Sequence, residues 1–536
     1  PGVGALANEI WDDQANEIKA MGQWRKAWYP EAPIYPVAYL PGGDPNSMKG
    51  LTRMSAKQIE AMQMIDSTPT KKTRVTWFLE GMLHHHGAAL MMAHDALSKS
   101  TNPTILGLSR NIVVAQSGPL AGEVVVPGAK NSVLKLMAAA LLADGRYTLT
   151  NVPVIEDVVI MADLLRAVGL EIVFSPAPAG ETGQHLSIYN SGAITPVAPF
   201  ELADRIRSSV NLVGPLLGRF GQVDIALPGG DDFGGRPIDM HLRGLEAMGA
   251  EFETSSEGIV GRCARLVGAE VVFDFPSVGA TENVLMAAVV ADGVTTIRNA
   301  AREPEIADLC NMLRKMGCRI DGIGTATLTI TGVNPSSLQA VTHEVVTDRV
   351  QAATYIAAVG MCGGTIRVAR ANAQHMGMML TRFTDMGMIF DIDDEGITAT
   401  APDRLTSVDV STLPYPGVAT DYKPLVVAML SIANGVGIVT ENLYPGRFRY
   451  VDELRALGAN IEIDGHHAVV RGVEHLTGAT VVAPDIRAGA ALVVAGLAAS
   501  GITEIGDVFH IDRGYDDIVG RLSALGASIS RVRPES

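Results

Sequence analysis

Five ionisable residues stand where apolar segments open: Lys130 in PGAKNS, Arg207 in DRIRSS, Arg349 in TDRVQAA, Asp421 in ATDYKP and Arg487 in DIRAGA. A sixth opening of the same kind, SVGATEN, carries Ser277 and Val278. Segments such as VLKLMAAALLA and VLMAAVVA that follow read as buried helices, so these residues sit at helix N-termini. Such termini present unbonded N–H groups and a partial positive charge. A ring of them with added cations is a site for anions. Each charge by itself reads better as a cap or a solvated surface group; recurrence at one place in several units is what points to function. A further stretch, Leu227–His241 (LPGGDDFGGRPIDMH), packs four glycines and two prolines around Asp231, Asp232, Arg236 and Asp239. Glycine lets backbone approach a ligand closely, and loops of this kind carry function.

The elements that must hold these residues repeat. A helix-like segment ending in Gly, followed by a short alternating strand, occurs around Gly169, Gly249, Gly317, Gly387, Gly458 and Gly526, at spacings of 80, 68, 70, 71 and 68 residues. Glycine suits a helix end that turns through the left-handed region, and alternation at period two suits a half-buried strand. Units of this length exceed solenoid repeats and predict six α/β units, three per lobe. The 536 residues fit about three or four domains. The net charge of -16 with 5% aromatics argues against nucleic acid as a partner. Apolar runs such as Leu134–Leu142 fall short of the ~20 residues that span a bilayer, and no secretory signal is expected at the start. Cys263, Cys310, Cys318 and Cys362 form no CxxC pair, which fits the reducing cytoplasm.

From about Asn111 to Val532 the chain resembles the UDP-N-acetylglucosamine 1-carboxyvinyltransferase family of enolpyruvyl transferases. GAKNS, the LPGG…RPIDMH loop, FPSVGATEN, NAAREPEI, TENLYPGRF, DIRAGA and HIDRGY occur in family order, and GAKNSVLKLMAA and DGHHAVVRG look most like actinobacterial members. The resemblance implies a two-lobed inside-out α/β barrel, with 110–130 plus 346–536 as one lobe and 131–345 as the other, and the active site between them. It implies addition of the sugar 3-hydroxyl to C2 of phosphoenolpyruvate and elimination of phosphate, with no cofactor. By the same resemblance Lys130 and Asn131 bind phosphoenolpyruvate, and Arg236 and Arg513 hold its phosphate and carboxylate. Arg207, Arg236, Pro237, Ile238, Asp239, Met240, Ser277 and Val278 contact the sugar nucleotide, and Leu443 meets the uridine side. Asp421 is the candidate general base. Arg349, Arg447, Asp485 and Arg487 line the cleft, although Asp485 and Arg487 read equally as an interlobe salt bridge.

The chain departs from the family pattern in places. Asp231 stands where most members carry the cysteine that acts as general acid, as it does in a subset that includes mycobacterial members. PYPGVATD replaces the expected P-x-P-G-F-P-T-D before Asp421, and Phe275 stands where some members have a lysine. Two alternatives remain on the sequence: a 3-phosphoshikimate enolpyruvyl transferase-like enzyme, and a catalytically inert paralogue fused to a metal-binding module.

All four tryptophans precede residue 110 and all four cysteines follow it, so residues 1–109 read as a separate, all-α body. In Phe78–Leu97, Met82, His85, His86, Ala89, Met92 and Ala93 fall on one helical face. This M-x-x-H-H-x-x-A-x-x-M-A pattern resembles a ferritin-like helical family of largely unknown function, some members of which bind copper, and Met82, His85, His86 and Met92 are the implied ligands. Leu6, Ile10 and Gln14 recur as Leu108, Ile112 and Gln116, as if one helical repeat were left early for the first transferase strand. That points to a fusion, natural or man-made.

Overall fold

The computed structural model describes residues 111–229, 237–255 and 258–532, together with two short strands nearer the start. The chain divides into two units, Pro1–Leu106 with Pro534–Ser536, and Gly107–Arg533. In the first unit the described residues are strands Val37–Tyr39 and Leu51–Arg53, paired antiparallel. These six residues are strand where a helix was expected. Val37 and Tyr39 are residue types enriched in strands. Met82, His85, His86 and Met92 lie outside the described residues.

The second unit contains six four-stranded sheets, each with one parallel pair followed by two antiparallel pairings. Twelve principal helices alternate between two roles. The odd-numbered ones are α1 (Lys130–Ala139), α3 (Val213–Phe220), α5 (Val278–Ala288), α7 (Arg349–Cys362), α9 (Lys423–Leu430) and α11 (Ile486–Ala498). They are buried on almost every face, α7 and α11 most completely. An α-helix apolar all round has to be interior, so the helices fill the middle and the sheets lie outside. Small residues let them pack closely: a Cβ added at Gly489 would come 2.5 Å from Ile511 Cγ1, and one at Gly360 2.8 Å from Met429 Cε.

The even-numbered helices are α2 (Glu156–Ala167), α4 (Asp239–Glu246), α6 (Pro304–Lys315), α8 (Gly377–Asp385), α10 (Val451–Ala456) and α12 (Ile518–Ala524). Each is followed by one of the six repeat glycines, and all six glycines have φ between 92° and 116°. That is the left-handed turn the sequence called for, and a side chain there would be strained.

The core forms two clusters. One is built from residues of Val133–Val345 around α1, α3 and α5, the other from Ile112–Val126 and Val350–Ile529 around α7, α9 and α11. Each lobe is closed by a distant strand. Thr342–Glu344 pairs in parallel with Gly145–Val152, and Ile112–Ala115 sits between Ile502–Gly506 and Ile529–Arg531. The chain crosses between lobes twice, and the crossings hold each other: Ala129 N–H bonds Val346 O (2.7 Å) and Asp348 N–H bonds Pro127 O (2.9 Å).

Candidate active site

The predicted helix starts are real, and they are not alike. Asp348 caps α7 by accepting from Val350 N and Gln351 N (2.8 and 3.1 Å). Asp485 caps α11 by accepting from Arg487 N and Ala488 N (2.8 and 3.0 Å). Ser277 caps α5 through Ala280 N. The start of α1 has no side-chain cap of its own; Lys130 N instead points to Asp348 Oδ2 at 3.4 Å. So three of the six starts carry a side-chain cap of their own.

Cations and carboxylates converge between the lobes. Asp157, in the first turn of α2 and 1% exposed, accepts Lys130 Nζ at 2.8 Å and Arg513 Nε at 2.8 Å. Lys130 and Arg513 are thus brought together by a carboxylate of the other lobe that no motif announced. Beside them, Asp421 accepts Arg447 Nη1 at 3.0 Å, Arg487 Nε at 3.3 Å and Asn131 Nδ2 at 3.3 Å. Burial would push the Asp421 carboxyl up; Arg487 and Arg447 outweigh burial, with help from Lys130, and hold it far below the usual carboxylate range. Arg487, buried at 4% exposure, lies under the Tyr515 ring at 5.6 Å.

Asp485 and Arg487 do not bridge the lobes. Asp485 caps its own helix and stands 3.8 Å from Arg447 Nη2, while Arg487 grips Asp421; all four residues belong to the second lobe. Arg349 does bridge the lobes, as Arg513 does through Asp157. It forks onto Glu305 of the first lobe (3.0 and 3.4 Å), donates to Tyr422 Oη, and lies near the Tyr415 and Tyr422 rings. Leu443 N–H bonds Glu441 Oε1 at 2.8 Å.

Arg207 opens a 3-10 turn, Arg207–Leu212, that leads into α3. Its charge, after burial, lowers His241 to about 3, so His241 is neutral and its ring takes part in a 2.8 Å hydrogen bond with Asn283. A Cβ on Gly279 would meet the His241 ring at 2.8 Å, which places Ser277–Gly279 against it. Pro237, Ile238, Asp239 and Met240 lead into and open α4; Asp239 pairs with Arg243 at 2.8 Å on a solvated face. Phe275, in the lysine position, is exposed. The PYPGVATD turn is tight: Leu413 N–H bonds Val418 O, and Gly417 N–H bonds Pro414 O, both at 2.9 Å. Asp231, Asp232 and Arg236 lie outside the described residues.

Sequence reasoning missed Asp157, Glu305, Glu441 and Lys423 as parts of this site. Glu305 and Glu441 sat inside quoted motifs, NAAREPEI and TENLYPGRF, and Lys423 inside ATDYKP. Asp157 had no signal, because acidic residues in a first turn ordinarily just complement the helix dipole.

A family model described as EPSP synthase (3-phosphoshikimate 1-carboxyvinyltransferase) matches residues 114–522. A second, a domain of unknown function (DUF305), matches residues 1–121. The chain is 48% identical to the UDP-N-acetylglucosamine 1-carboxyvinyltransferase of Nocardia farcinica, over 79% of this chain and 99% of that one. Identity to the protein of the same name from Mycobacterium tuberculosis is also 48%, over 79% and 100%. Among solved structures, an enolpyruvyl transferase, NikO, from Streptomyces tendae superposes with a TM-score of 0.71 at 24% identity, over 79% of this chain and 99% of that one. EPSP synthase from Acinetobacter baumannii gives 0.63 at 17%, over 79% and 99%. Those two likenesses concern the fold.

Proposed function

The chain belongs to the UDP-N-acetylglucosamine 1-carboxyvinyltransferase family, and from that premise we infer that it moves the enolpyruvyl group of phosphoenolpyruvate to the 3-hydroxyl of UDP-N-acetylglucosamine. The sugar oxygen bonds to C2 and C3 gains a proton, giving a tetrahedral phosphate-bearing intermediate. Loss of a C3 proton and cleavage of the C2–O bond then release phosphate. The product enters peptidoglycan synthesis, of which this is the first committed step.

The observation that carries the reading is the interlobe cluster: Lys130, Asn131, Arg447, Arg487 and Arg513 around Asp421 and Asp157. Both substrates are anions, and charge moves through addition and elimination. Donors fixed in place before reaction stabilise that charge without reorganising. In our reading Lys130 and Arg513 hold the phosphate and carboxylate, Arg236 joins them, and Asp421 receives the hydroxyl. Arginine forks fit phosphate and carboxylate bidentately. Asp421 as it stands, gripped by two guanidinium groups, is a weak base. Its basicity recovers when the substrate's own anionic groups take over part of the Arg447 and Arg487 charge, so proton acceptance is coupled to a filled site. Asp231 is the proton donor to C3. Arg207, Pro237, Ile238, Asp239, Met240, Ser277, Val278 and Leu443 take the nucleotide sugar, with Arg349 and Asp485 supporting the cleft.

Phosphate release on mixing the purified chain with both substrates tests this. It should require UDP-N-acetylglucosamine, and shikimate 3-phosphate should not replace it. Release with shikimate 3-phosphate, or none with either acceptor, refutes the reading. The sugar-nucleotide branch is favoured by identity: 48% to relatives of that name against 17% to an EPSP synthase. We place the reaction in the cytoplasm; the four cysteines are all free, as suits a reducing compartment, and among the described residues no helix is long and apolar enough to cross a membrane.

For residues 1–109 we propose copper binding at Met82, His85, His86 and Met92, on the softness of thioether and imidazole ligands. The double variant His85→Ala/His86→Ala should lose bound copper, measured by metal analysis, with transferase rate nearly unchanged. Equal copper in both proteins refutes it.

A further inference from the structure

Beneath Arg447 lies an ion pair with no solvent at all. Lys423 Nζ stands 3.0 Å from Glu441 Oε2, and both side chains are 0% exposed. An isolated ion pair of this kind usually costs more in lost hydration than its attraction returns, so its retention calls for a reason. The surroundings supply one. Glu441 accepts five donors: Lys423, Thr412 Oγ1 (2.7 Å), Thr420 Oγ1 (2.7 Å), Leu443 N (2.8 Å) and Tyr444 N (3.1 Å). Lys423 donates in turn to the backbone carbonyl of Arg447, with its ammonium 3.8 Å from the centre of the Phe448 ring. Thr420 also accepts Arg447 Nη1 at 3.2 Å.

The pair therefore holds both ends of the Asn442–Arg447 turn, one through Leu443 and Tyr444 N–H, the other through Arg447 C=O. It also reaches the Arg447 guanidinium through Thr420. Lys423 opens α9 two residues after Asp421, so one helix start carries both the carboxylate and the lysine that fixes its arginine partner.

We propose that Lys423 and Glu441 are positioning residues that set the Arg447 guanidinium against Asp421 and fix the Leu443 backbone for the nucleotide side of the site. This rests on the functional reading above, for the substrate it concerns. Neither residue touches substrate; both act through Arg447 and the turn. Burial draws the Lys423 ammonium down to about 8 against the attraction of Glu441, in keeping with a buried group that Glu441 keeps charged.

Lys423→Met alone leaves Glu441 buried and uncompensated and can fail to fold, so the main test is the double variant Lys423→Met/Glu441→Gln, which has no orphan charge. Lys423→Gln in the same Glu441→Gln background, equally free of an orphan charge, serves as rescue, since its amide still donates. All rates are taken per folded enzyme, by circular dichroism. The double variant should lose at least tenfold in kcat/KM for UDP-N-acetylglucosamine, with KM for phosphoenolpyruvate changed less than threefold. Lys423→Gln should recover most of the loss. A crystal structure of the double variant should show Arg447 Nη1 withdrawn beyond 3.5 Å from Asp421. That arm needs no substrate, so it decides the positioning role even if wild-type enzyme fails to turn over, an outcome that would count against the functional reading alone. Arg447 in its wild-type place in the double variant overturns the proposal, as does a loss that falls equally on both substrates or that Lys423→Gln leaves unrepaired.

Discussion

Replacing Asp157 with asparagine removes one negative charge from the point where Lys130 and Arg513 meet. Lys130 Nζ and Arg513 Nε each lie 2.8 Å from it, and the exposed fractions of the side chains are 12% for Lys130, 7% for Arg513 and 2% for Asp157. Deleting one member of a buried ion pair costs about 3–5 kcal/mol, because the remaining charge stays out of water without compensation. The amide keeps one acceptor oxygen, so the lower end, about 3 kcal/mol, is expected for Asp157→Asn. The substrate reading adds a second, sharper expectation. If Lys130 and Arg513 receive the phosphate and carboxylate of phosphoenolpyruvate, an anion restores what asparagine lacks. Ligand at a hundred times its Kd adds about 2.7 kcal/mol to folded-state stability, enough to offset most of the deficit. Thermal unfolding of wild type and Asp157→Asn, in anion-poor buffer and with rising inorganic phosphate, measures both. The variant should melt several degrees lower without phosphate and rise more steeply with it. Equal melting in anion-poor buffer refutes the structural part. A deficit that phosphate leaves unchanged refutes the link between this pair and the substrate anion.

Three further outcomes are expected. Asp421→Asn should lower kcat by ~10²–10⁴-fold, as loss of a general base does, in phosphate-release assays at saturating substrates. Because Arg487 and Arg447 hold the Asp421 carboxyl far below its ordinary value, its stabilising contribution is fully present above the unfolded pKa of ~3.9 and fades as pH falls through the depressed folded value. Urea unfolding should therefore separate variant from wild type at pH 7 and less at pH 3; an equal gap at both counts against the assigned pairing. Asp231→Cys should retain activity and become sensitive to fosfomycin with a covalent adduct on residue 231, because a thiolate opens the epoxide and a carboxylate does so poorly. Inactivation of the unmodified protein by fosfomycin would show that Asp231 is not the residue at the reacting carbon. Gly489→Ala drives a Cβ to 2.5 Å from Ile511, in the short helix that leads to Arg513. It should cost ~1–3 kcal/mol of stability, as overpacking does, and raise KM for phosphoenolpyruvate; an unchanged KM would detach Arg513 from that substrate.

What the sequence made legible is local. Six glycines predicted six left-handed helix ends, and all six have positive φ, because the cue and its consequence lie within a few residues of each other. The helix starts were legible for the same reason: an apolar run needs a beginning, and Asp348, Asp485 and Ser277 are good caps. What stayed hidden is pairing at long range. Asp157 and Arg513 are 356 residues apart, and a chain with 58 acidic and 42 basic residues offers far too many partners for charge alone to choose. The same limit misassigned the interlobe bridge. Arg487 and Arg349 both open helices and look equivalent along the chain; only the packing of lobes puts Glu305 in front of one and Asp421 in front of the other.

That pairing changes the picture of a positive ring waiting for anions. Before any substrate enters, Lys130 and Arg513 face Asp157, Arg447 and Arg487 face Asp421, and Asp348 and Asp485 take the N–H groups of two helix starts. Four carboxylates thus stand against four cations. An uncompensated cluster of four buried cations would cost too much to keep in a folded chain, so the carboxylates are a condition of the site's existence. On the proposed function, substrate binding becomes an exchange of partners, with phosphate and carboxylate taking donors that Asp157 and Asp421 hold. A guanidinium has five N–H donors, so Arg447, Arg487 and Arg513 can take a new acceptor while keeping part of the old one. Lys130, with one ammonium, has less latitude. On the same reading the exchange loosens Asp421 from its arginines at the moment a hydroxyl needs an acceptor, which would tie proton transfer to a loaded site.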